Sequence, residues 1–513
     1  MIVDARQLPD ASQLAARLCI IGGGMAGIAI ARELRDAGVD ILVLESGGDA
    51  PSSENQALYN GRGTLSDPDG RTRDMTQYLP QSRVRAFGGS GHVWGGKCGR
   101  LDPSDFEARD WLPGSGWPFK REHLDPFYDR ASAHLELPSF TRDLINGDAT
   151  RPPVMIGDGT TFETVPRVHS RVSGSHSREK FDAYRHSITT APRMTVCLNA
   201  NVTQIKITAD GRAVTGLEVR TLDGKKHDVR ADHYVLATGA MENARLLMLS
   251  NATAPNGVAN DRGLVGRYFA GHLNASTDAG GDGPTSGVLF SEMTQSFDLY
   301  TTNDLSKVWG IWNATPGAQR RLRLPNVWIA FTNRSDEATA SERGALALAR
   351  ALRQPAPTAK GDFVPARIMV EQPMEASSRL TLDATARDAL GQARLALEWK
   401  LNETYVRGME KSAAALAKSL GESGLGRLRW PLTRATLLNR LNPARHHLGT
   451  TRMSTDRAKG VVDEHSRVHG MENLHIAGSS VFPTPGIVNP TLTIIALAVR
   501  LADRLRPELR RAG

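Results

Sequence analysis

The pattern of apolar and polar positions near the start of the chain predicts a strand, a glycine turn, a helix and a second strand. Residues 18–21 form a short apolar run without polar alternation, which is typical of a strand buried on both faces. The glycine-rich residues 22–27 follow, and residues 28–37 carry apolar side chains at helical spacing with charges on the opposite side. Residues 40–45 form a second apolar run that ends in an acid. The segment therefore predicts a β-α-β unit.

The same two periodicities predict elements further along the chain. Strands are predicted at 195–198, 202–207, 214–220, 233–238, 364–372, 379–382, 393–400 and 474–477. Helices are predicted at 244–249, 345–352, 403–420 and 492–505. A chain of 513 residues is longer than one hydrophobic core usually supports, so two domains are expected.

Composition and charge narrow the function without identifying it. The net charge is +8, but basic residues are mixed with acids along the chain and are not interleaved with aromatics, so nucleic-acid binding is not expected. Cys19, Cys98 and Cys197 form no C-x-x-C pair, which argues against a disulfide framework, a zinc site and a cysteine-bound iron–sulfur cluster. The apolar stretch 492–499 is too short to span a membrane and no signal peptide is visible, so a cytoplasmic protein without a metal site is expected.

The glycine turn has the spacing of a dinucleotide-binding motif. Gly22, Gly24 and Gly27 occupy the G-x-G-x-x-G positions between a predicted strand and a predicted helix. In this motif the glycines form the tight turn, let the backbone approach a pyrophosphate and let the helix pack on the strand. Glu45, at the end of the second strand, is placed to accept hydrogen bonds from ribose hydroxyls, which disfavours NADP. The motif alone does not separate FAD from NAD.

A second glycine cluster, residues 87–96, has five glycines in ten residues, which is typical of a backbone that passes close to a large planar ligand. Here the chain resembles the glucose-methanol-choline (GMC) oxidoreductase family. The matching segments, in the family's order, are GGGMAG…LESGG, GGSGHVWGG, ATGAMENARLLMLS, VGRYFAGH and HHLGTTRM…VVDEHSRVHGMENLHIAGSSVFPTPGIVNPTLT. They run from residue 18 to about residue 505, so the resemblance covers nearly the whole chain.

The resemblance implies an α/β fold of two domains. A Rossmann-like FAD-binding domain would be built from the discontinuous segments 14–155, 190–272 and 443–510. A substrate domain with an antiparallel sheet would be built from 156–189 and 273–442.

The glycine turn and the resemblance together indicate which residues contact the cofactor. The backbone around Ser90–Trp94 would pass near the flavin ring, Val202 would meet the adenine through its main chain, and Gly478 and Ser479 would line the ribityl chain. The full set is Gly22, Gly24, Met25, Ala26, Gly27, Glu45, Ser46, Gly89, Ser90, His92, Val93, Trp94, Val202, Ala237, Gly239, Gly478, Ser479, Pro490 and Thr491. Some relatives attach FAD covalently through a histidine. Judged from the spacing after Gly89, that position falls on Val93 and not on His92, so FAD is expected to be non-covalent.

The catalytic pair is expected near the end of the chain. Oxidising an alcohol requires a group near neutral pKa to take the hydroxyl proton, and histidine suits this role. In the family pattern the base lies three residues before Gly449, which is His446, and Asn489 would anchor the substrate oxygen. His447 is interpreted as a packing residue, and Gln372 is a candidate to face the substrate. The hydride would pass from the alcohol carbon to flavin N5.

The substrate and the electron acceptor stay open at this point. The His/Asn pair and the sequence motifs around it resemble those of pyranose oxidase and bacterial sugar-3-oxidising relatives. The expected substrate is therefore a secondary alcohol of a sugar or glycoside, with a non-sugar alcohol as the alternative. Oxygen and a quinone or carrier protein are both possible acceptors, and the oligomeric state is not indicated. The competing hypotheses are an FAD-containing lyase, an NAD(P)-dependent dehydrogenase and an FAD-binding assembly subunit without turnover.

Overall fold

The computed structural model describes residues 1–137, 158–175, 177–276, 287–290, 300–301, 307–331, 364–430 and 432–510. The strands among these residues are β1 Ile2–Asp4, β2 Gln13–Ile21, β3 Ile41–Leu44, β4 Arg62–Ser66, β5 Thr72–Asp74, β6 Lys97–Cys98, β7 Phe162–His169, β8 Met194–Leu198, β9 Asn201–Ile207, β10 Val214–Arg220, β11 Lys226–Leu236, β12 Leu273–Ser276, β13 Gly287–Phe290, β14 Tyr300–Thr301, β15 Lys307–Ala314, β16 Val327–Phe331, β17 Ala366–Val370, β18 Arg379–Arg387, β19 Ala393–Lys400, β20 Gly426–Arg429, β21 Leu441–Pro443 and β22 Leu474–Ile476.

The described residues form ten α-helices. They are α1 Met25–Leu34, α2 Ser53–Ala57, α3 Tyr78–Gln81, α4 Asp125–His134, α5 Arg178–His186, α6 Ala240–Leu249, α7 Pro316–Leu322, α8 Glu403–Glu422, α9 Arg434–Arg440 and α10 Thr491–Arg510. Helix α1 contacts β2 and β3, and α10 packs against both α1 and α4. Within the described ranges, no helix is both long enough and apolar enough to cross a membrane.

The first sheet has the order β1-β8-β3-β2-β11-β10-β9, with β22 also paired to β11. Six strands of this sheet run parallel to one another, namely β1, β8, β3, β2, β11 and β22. Strand β10 is antiparallel to both of its neighbours, β11 and β9. The register aligns the last residues of four strands in one row, Leu44, Ile21, Leu236 and Ile476. The segments that leave these strands therefore meet at one edge of the sheet, although they are far apart in the chain.

The second sheet is antiparallel and has the order β21-β12-β17-β16-β15-β7-β6, with β14 paired to β15. Two smaller sheets, β18-β19-β4-β5 and β13-β20, complete the described strands. The buried core runs through both large sheets and the helices on them without a break.

Most predicted elements are present, and the differences have a local cause. Strands β2 and β11 begin at Gln13 and Lys226, before the predicted starts at 18 and 233, because their first halves include exposed and half-buried residues and lack a continuous apolar run. Helix α1 begins at Met25, within the glycine-rich residues 22–27, and not at residue 28. The helix predicted at 345–352 lies outside the described residues.

Candidate active site

A cavity of about 430 Å³ opens at the edge where the parallel strands end. This volume is in the range of cofactor and small-molecule sites. Of the predicted site residues, those that line it are Gly22, Gly24, Met25, Ala26, Glu45, Ser46, Gly89, Ser90, Val93, Trp94, Val202, Ala237, Gly239, His446, Gly478, Ser479, Asn489, Pro490 and Thr491. Gly27, His92 and Gln372 do not line the cavity.

The glycine turn between β2 and α1 is built by close backbone contacts. A Cβ atom on Gly27 would lie 2.0 Å from the carbonyl oxygen of Gly22, so only glycine lets the helix approach the turn. Gly22 has a φ of +108°, and a Cβ atom there would lie 2.6 Å from the carbonyl oxygen of Ala237. Gly24 instead borders open space. A side chain at Gly24 would project into the cavity, as expected where a pyrophosphate passes the start of a helix.

Two further glycines fit the same ligand. Gly239 and Gly478 follow β11 and β22, have φ values of +87° and +106°, and have no atom within 4 Å of the position of a Cβ. Both line the cavity, so side chains there would fill it. The shape of this wall therefore suits an extended dinucleotide such as FAD.

Glu45 is buried at the end of β3 with its carboxylate fixed by backbone amides. Oε2 accepts a hydrogen bond from the amide of Gly23 at 2.9 Å, and Oε1 accepts one from the amide of Gly47 at 2.8 Å. Oε1 also accepts from the hydroxyl of Ser46 at 3.3 Å, whereas Oε2 retains a second lone pair that can accept from a ribose hydroxyl.

Asn243 joins two of the loops that form the cavity edge, and the sequence analysis did not identify it. Its side-chain oxygen accepts from the amide and hydroxyl of Thr238 at 2.8 and 2.7 Å. Its side-chain nitrogen donates to the carbonyl of Ala477 at 3.1 Å and to the hydroxyl of Ser480 at 2.9 Å. All four hydrogen-bonding positions of this fully buried amide are used, so the loops after β11 and β22 are held together.

The second glycine cluster is shaped by α5. Cβ atoms on Gly88 and Gly91 would lie 2.6 and 2.5 Å from the ring of Phe181, so the cluster packs flat against this helix. His92 is buried, and its Nε2 donates to the carbonyl of Phe87 at 2.9 Å while its Nδ1 accepts from Arg178 at 2.8 Å. Burial and the neighbouring arginines lower the pKa of His92. Both ring nitrogens of His92 are therefore engaged away from the cavity.

His446 and Asn489 come together on the lining of the same cavity. The amide nitrogen of the Asn489 side chain lies 3.4 Å from Nε2 of His446. Nδ1 of His446 lies 2.9 Å from Nδ1 of His272, and Nε2 of His272 lies 3.1 Å from the carbonyl oxygen of Gly486. His272 is the last residue of the family-like segment VGRYFAGH, but the sequence gave no sign of its contact with His446.

This chain of contacts fixes the tautomers of both histidines. A carbonyl only accepts, so the proton of neutral His272 is on Nε2 and its Nδ1 is an acceptor. The proton of His446 is then on Nδ1, which leaves the lone pair on Nε2, beside Asn489. Burial, with His272 and His447 nearby, lowers the pKa of His446 well below its usual value, and burial lowers the pKa of His272 to about 4. Both rings are neutral at pH 7, so Nε2 of His446 can accept a proton.

His447 and Gln372 have different surroundings from His446. The His447 ring packs edge-on to Tyr78 and parallel to Phe269, with centroid distances of 5.5 and 6.1 Å, and burial lowers its pKa to about 3. Gln372 is buried, and its oxygen accepts from the amide of Gly271 and from the indole of Trp399 at 3.1 and 3.0 Å. Gln372 therefore braces the backbone next to His272, and a role facing the substrate stays a prediction.

A buried ion pair supports the loop that carries Gly486. The guanidinium of Arg109 donates two hydrogen bonds to the carboxylate of Glu371, both of 2.8 Å. Oε1 of Glu371 also accepts a hydrogen bond from the amide of Gly486 at 3.2 Å. The neighbouring Asp105 is fully buried, and burial together with the charge of Glu371 raises its pKa to about 8. The loop that orients His272 is thus anchored by Glu371, the residue directly after β17, and through it by Arg109.

The far end of the cavity, around Tyr59, holds a compact charge cluster that we call the Tyr59 end. The guanidinium groups of Arg83 and Arg85 lie over the Tyr59 ring, at 3.9 and 4.6 Å from its centroid. Both pair with Glu242, at 2.8 and 3.3 Å. Burial opposes ionisation of Glu242, but its arginine neighbours, which include Arg245, dominate and hold its pKa at about 2.

Comparison with known proteins agrees with this arrangement. Residues 17–263, which contain the glycine turn, Glu45 and the second glycine cluster, match the FAD dependent oxidoreductase family. Residues 374–498, which contain His446 and Asn489, match the GMC oxidoreductase family.

Similar proteins extend over the whole chain at low identity. The fructose dehydrogenase large subunit of Gluconobacter japonicus is 23% identical, over 97% of this chain and 99% of that protein. Paromamine 6'-oxidase of Streptomyces fradiae is 25% identical, over 96% and 91%. C-glycoside 3-oxidase of Microbacterium trichothecenolyticum is 26% identical, over 67% of this chain and 60% of that protein.

Solved structures share the fold. A formate oxidase structure superposes with a TM-score of 0.58 at 18% identity, covering 98% of this chain and 99% of that one. Pyridoxine 4-oxidase from Mesorbium loti gives a TM-score of 0.57 at 19% identity, covering 95% and 98%. The predicted fold, the FAD cofactor and the oxidoreductase class are confirmed, whereas the domain boundaries and the roles of single residues stay predictions. The chain is an FAD-dependent oxidoreductase of the kind that acts on alcohol groups, and it is similar to the GMC oxidoreductases.

Proposed function

We propose that the protein oxidises a secondary hydroxyl of a sugar or glycoside to a ketone, with His446 as the base. The observation that carries this proposal is the chain of contacts from Gly486 through His272 to His446, which puts the basic lone pair of His446 on Nε2, hydrogen-bonded to the side-chain amide of Asn489. A sugar is supported by relatives named for fructose and for C-glycosides. Reoxidation by oxygen or by a quinone-type acceptor is part of the proposal.

His446 and Asn489 have different roles at the substrate oxygen. Asn489 donates a hydrogen bond to the hydroxyl and so orients it toward Nε2 of His446. Nε2 takes the hydroxyl proton while the C–H bond on the same carbon breaks. The N–H at Nδ1 of His446 keeps its hydrogen bond to Nδ1 of His272, which holds the His446 ring in its orientation.

The cofactor would be held by the glycine turn, Glu45 and the start of α10. When bound, FAD supplies the acceptor for the hydride that leaves the alcohol carbon. Pro490 and Thr491 line the cavity at the N-terminus of α10, where the helix dipole favours negative charge. We propose that FAD is non-covalent, because His92 is engaged with Phe87 and Arg178 and the cavity-facing neighbour is Val93.

Anaerobic mixing of the purified holoenzyme with a panel of sugars, glycosides and simple alcohols tests the proposal. Loss of the oxidised flavin absorbance with sugars or glycosides is the expected result, and the ketone product should form in equal amount. A holoenzyme that cleaves or releases product without loss of flavin absorbance is a lyase, and that result rejects alcohol oxidation. Bleaching by simple alcohols alone rejects the sugar assignment. Readmitting air or adding a quinone then separates the two acceptors.

A further inference from the structure

Glu371, the residue directly after β17, is joined to the proposed base by consecutive hydrogen bonds. Its Oε1 accepts from the amide of Gly486 at 3.2 Å, and the carbonyl of Gly486 accepts from Nε2 of His272 at 3.1 Å. Nδ1 of His272 in turn accepts from Nδ1 of His446 at 2.9 Å. One loop residue therefore separates a carboxylate from the histidine pair.

The carboxylate of Glu371 is buried and fully hydrogen-bonded. Its side chain is 0% exposed, and the guanidinium of Arg109 donates to both oxygens. The amide of Gly486 donates to Oε1, and the amide of Asn326 donates to Oε2 at 3.3 Å. These four donors occupy the four acceptor positions of a carboxylate, which leaves no position for a proton. Glu371 is therefore a negative charge held in a fixed direction, with one oxygen bonded to the Gly486 loop.

Glu371 and its neighbour Gln372 both brace the surroundings of His272. The backbone amide of Glu371 donates to the carbonyl of Asn326 at 2.9 Å, which fixes the chain directly after β17. The side-chain oxygen of Gln372 accepts from the amide of Gly271, the residue before His272, at 3.1 Å. The carboxylate and the imidazole of His272 are therefore held at a constant separation.

The site disfavours a positive charge on His446, although accepting a proton creates one. Burial, with His272 and His447 nearby, lowers the pKa of His446 well below its usual value. Lys97, the first residue of β6, and Arg445 line the same cavity, and both are cationic side chains. Their charges do not stabilise a positive ring.

The charge of Glu371 acts in the opposite direction. Burial lowers the pKa of His272, and the charge of Glu371 partly offsets this lowering. Asp105, a second acid beside the ion pair, is fully buried; burial and the charge of Glu371 raise its pKa to about 8, so Asp105 is protonated below pH 7. Arg109 balances Glu371, but it is the carboxylate that bonds to the Gly486 loop. The negative end of the ion pair is therefore directed toward the histidine pair.

We propose that Glu371 is a positioning residue for the base. Through the Gly486 loop and His272, its carboxylate stabilises the imidazolium that His446 becomes when it takes the substrate proton. In this step the O–H bond of the alcohol breaks and an N–H bond forms at Nε2 of His446, while the hydride leaves the carbon with both electrons of the C–H bond and goes to FAD. The inference rests on the alcohol oxidation proposed above and adds a group that does not line the cavity.

Removing both charges of the ion pair tests this role while the loop keeps its anchor. Arg109→Met/Glu371→Gln retains a side-chain oxygen for the amide of Gly486 and avoids an unpaired buried charge, which would be strongly destabilising. The limiting rate of flavin reduction should fall about 3- to 10-fold, because one pKa unit is a tenfold change in proton affinity and the transition state carries part of the full charge. Arg109→Gln/Glu371→Gln, whose amides can pair with each other, repeats the test if the first variant loses FAD.

The pH profile separates electrostatic support from simple packing. Loss of the Glu371 charge makes the histidine pair less basic, so the pH at which the rate halves should move to lower values. A loop that merely loosens would admit water around His446, raise its pKa toward 6.5 and move this pH upward. Stopped-flow pH jumps of the holoenzyme into buffers below pH 7 measure the rate before acid unfolding. The substrate concentration at half-maximal rate should change little.

Two further variants calibrate the effect. Arg109→Lys keeps both charges and should retain more of the rate than the neutral pairs. Arg434→Met/Glu403→Gln makes the same substitutions in a surface ion pair between α9 and α8, where the two groups lie 2.6 Å apart, and should react like the wild type. Flavin absorbance shows that each variant holds FAD.

The outcomes keep this inference apart from the proposed function. A wild-type rate and pH profile in the neutral pairs, or a profile that moves upward, overturns the role of Glu371, whereas bleaching of the flavin by an alcohol and a slow His446→Ala leave the oxidation in place. If no alcohol bleaches the wild-type flavin, or if His446→Ala reacts like the wild type, the proposed function fails and the role of Glu371 fails with it.

Discussion

The two walls of the cavity are built on different principles. The wall made by the first sheet comes from loops that follow parallel strands, and each loop carries its own glycines, such as Gly22, Gly239 and Gly478. The wall made by the second sheet comes from single side chains on antiparallel strands, such as Lys97 and His272, which have no common motif. The first wall needs backbone close to a cofactor, and the second needs particular side chains near a substrate.

This difference explains why the two walls have different tolerance to change. The first wall meets the pyrophosphate and flavin of the cofactor, so its shape is fixed by FAD. The second wall meets the substrate, and the relatives differ in the substrates for which they are named. Substitutions on the first wall should therefore act on FAD binding, and those on the second wall on the reaction.

The largest expected effect is on the second wall, at His446. In His446→Ala the rate of flavin reduction should fall about 10²- to 10⁴-fold, because the hydroxyl proton loses its acceptor. Stopped-flow absorbance with a bleaching substrate measures this rate. FAD content should be unchanged, and His465→Gln, on a half-exposed surface loop, should react like the wild type. A rate within threefold of the wild type would remove His446 from the mechanism.

The next largest effect is expected at His272, the hydrogen-bond partner of His446. His272→Leu removes the acceptor for the Nδ1 proton, so the wrong tautomer is populated and the reduction rate should fall roughly 10- to 100-fold. His272→Asn places a side-chain oxygen near the former Nδ1 and should recover most of the rate. The substrate KM should change less than kcat in both variants. Equal losses in the two variants would indicate that His272 acts only by packing.

A change on the first wall should lower stability and FAD binding, in contrast to the changes of reaction rate on the second wall. Gly27→Ala forces a Cβ against the Gly22 carbonyl, so the turn must open, with a loss of about 1–3 kcal/mol in the free energy of unfolding and weaker FAD binding. Denaturant titration and flavin release on dilution measure both. Gly421→Ala, in α8 with open space around it, is the matched control and should be as stable as the wild type. Tight FAD binding by Gly27→Ala would show that the turn tolerates a side chain.

The smallest effect is a displacement of the pH profile. Only neutral His446 can accept the proton, and burial with the neighbouring histidines lowers the pKa of His446 below 6.5. The rate of flavin reduction by a neutral substrate should therefore stay constant as the pH falls through 6.5, and decline only at lower pH. A rate that halves near pH 6.5 would mean that the base is not buried as described.

The sequence predicted the first wall well because its signals are local. Gly22, Gly24 and Gly27 lie within one turn, and the structure places Gly22 and Gly24 on the cavity and Gly27 beneath it. His446 and Asn489 were suggested by family motifs, and they lie together as expected.

Apart from His446, which a family motif suggested, the second wall was missed, since its residues become neighbours only through strand register and loop packing. Lys97 directly follows the second glycine cluster and His272 ends the segment VGRYFAGH, but neither position indicates that Lys97 faces the cavity or that His272 contacts His446. Glu371 and Arg109 are 262 residues apart and are joined only by the folded chain. The burial of both partners of this ion pair is a property of the fold and has no sequence signature.

The pairing of β22 with β11 has a consequence for how the enzyme is made. Gly478, Ser479 and the start of α10 are synthesised long after the glycine turn, yet they form one side of the cofactor cavity. A nascent chain that has completed the glycine turn still lacks this side, so FAD loading must wait until α10 has been made. Chains terminated before α10 should accumulate as colourless apoprotein, however well their first sheet has formed.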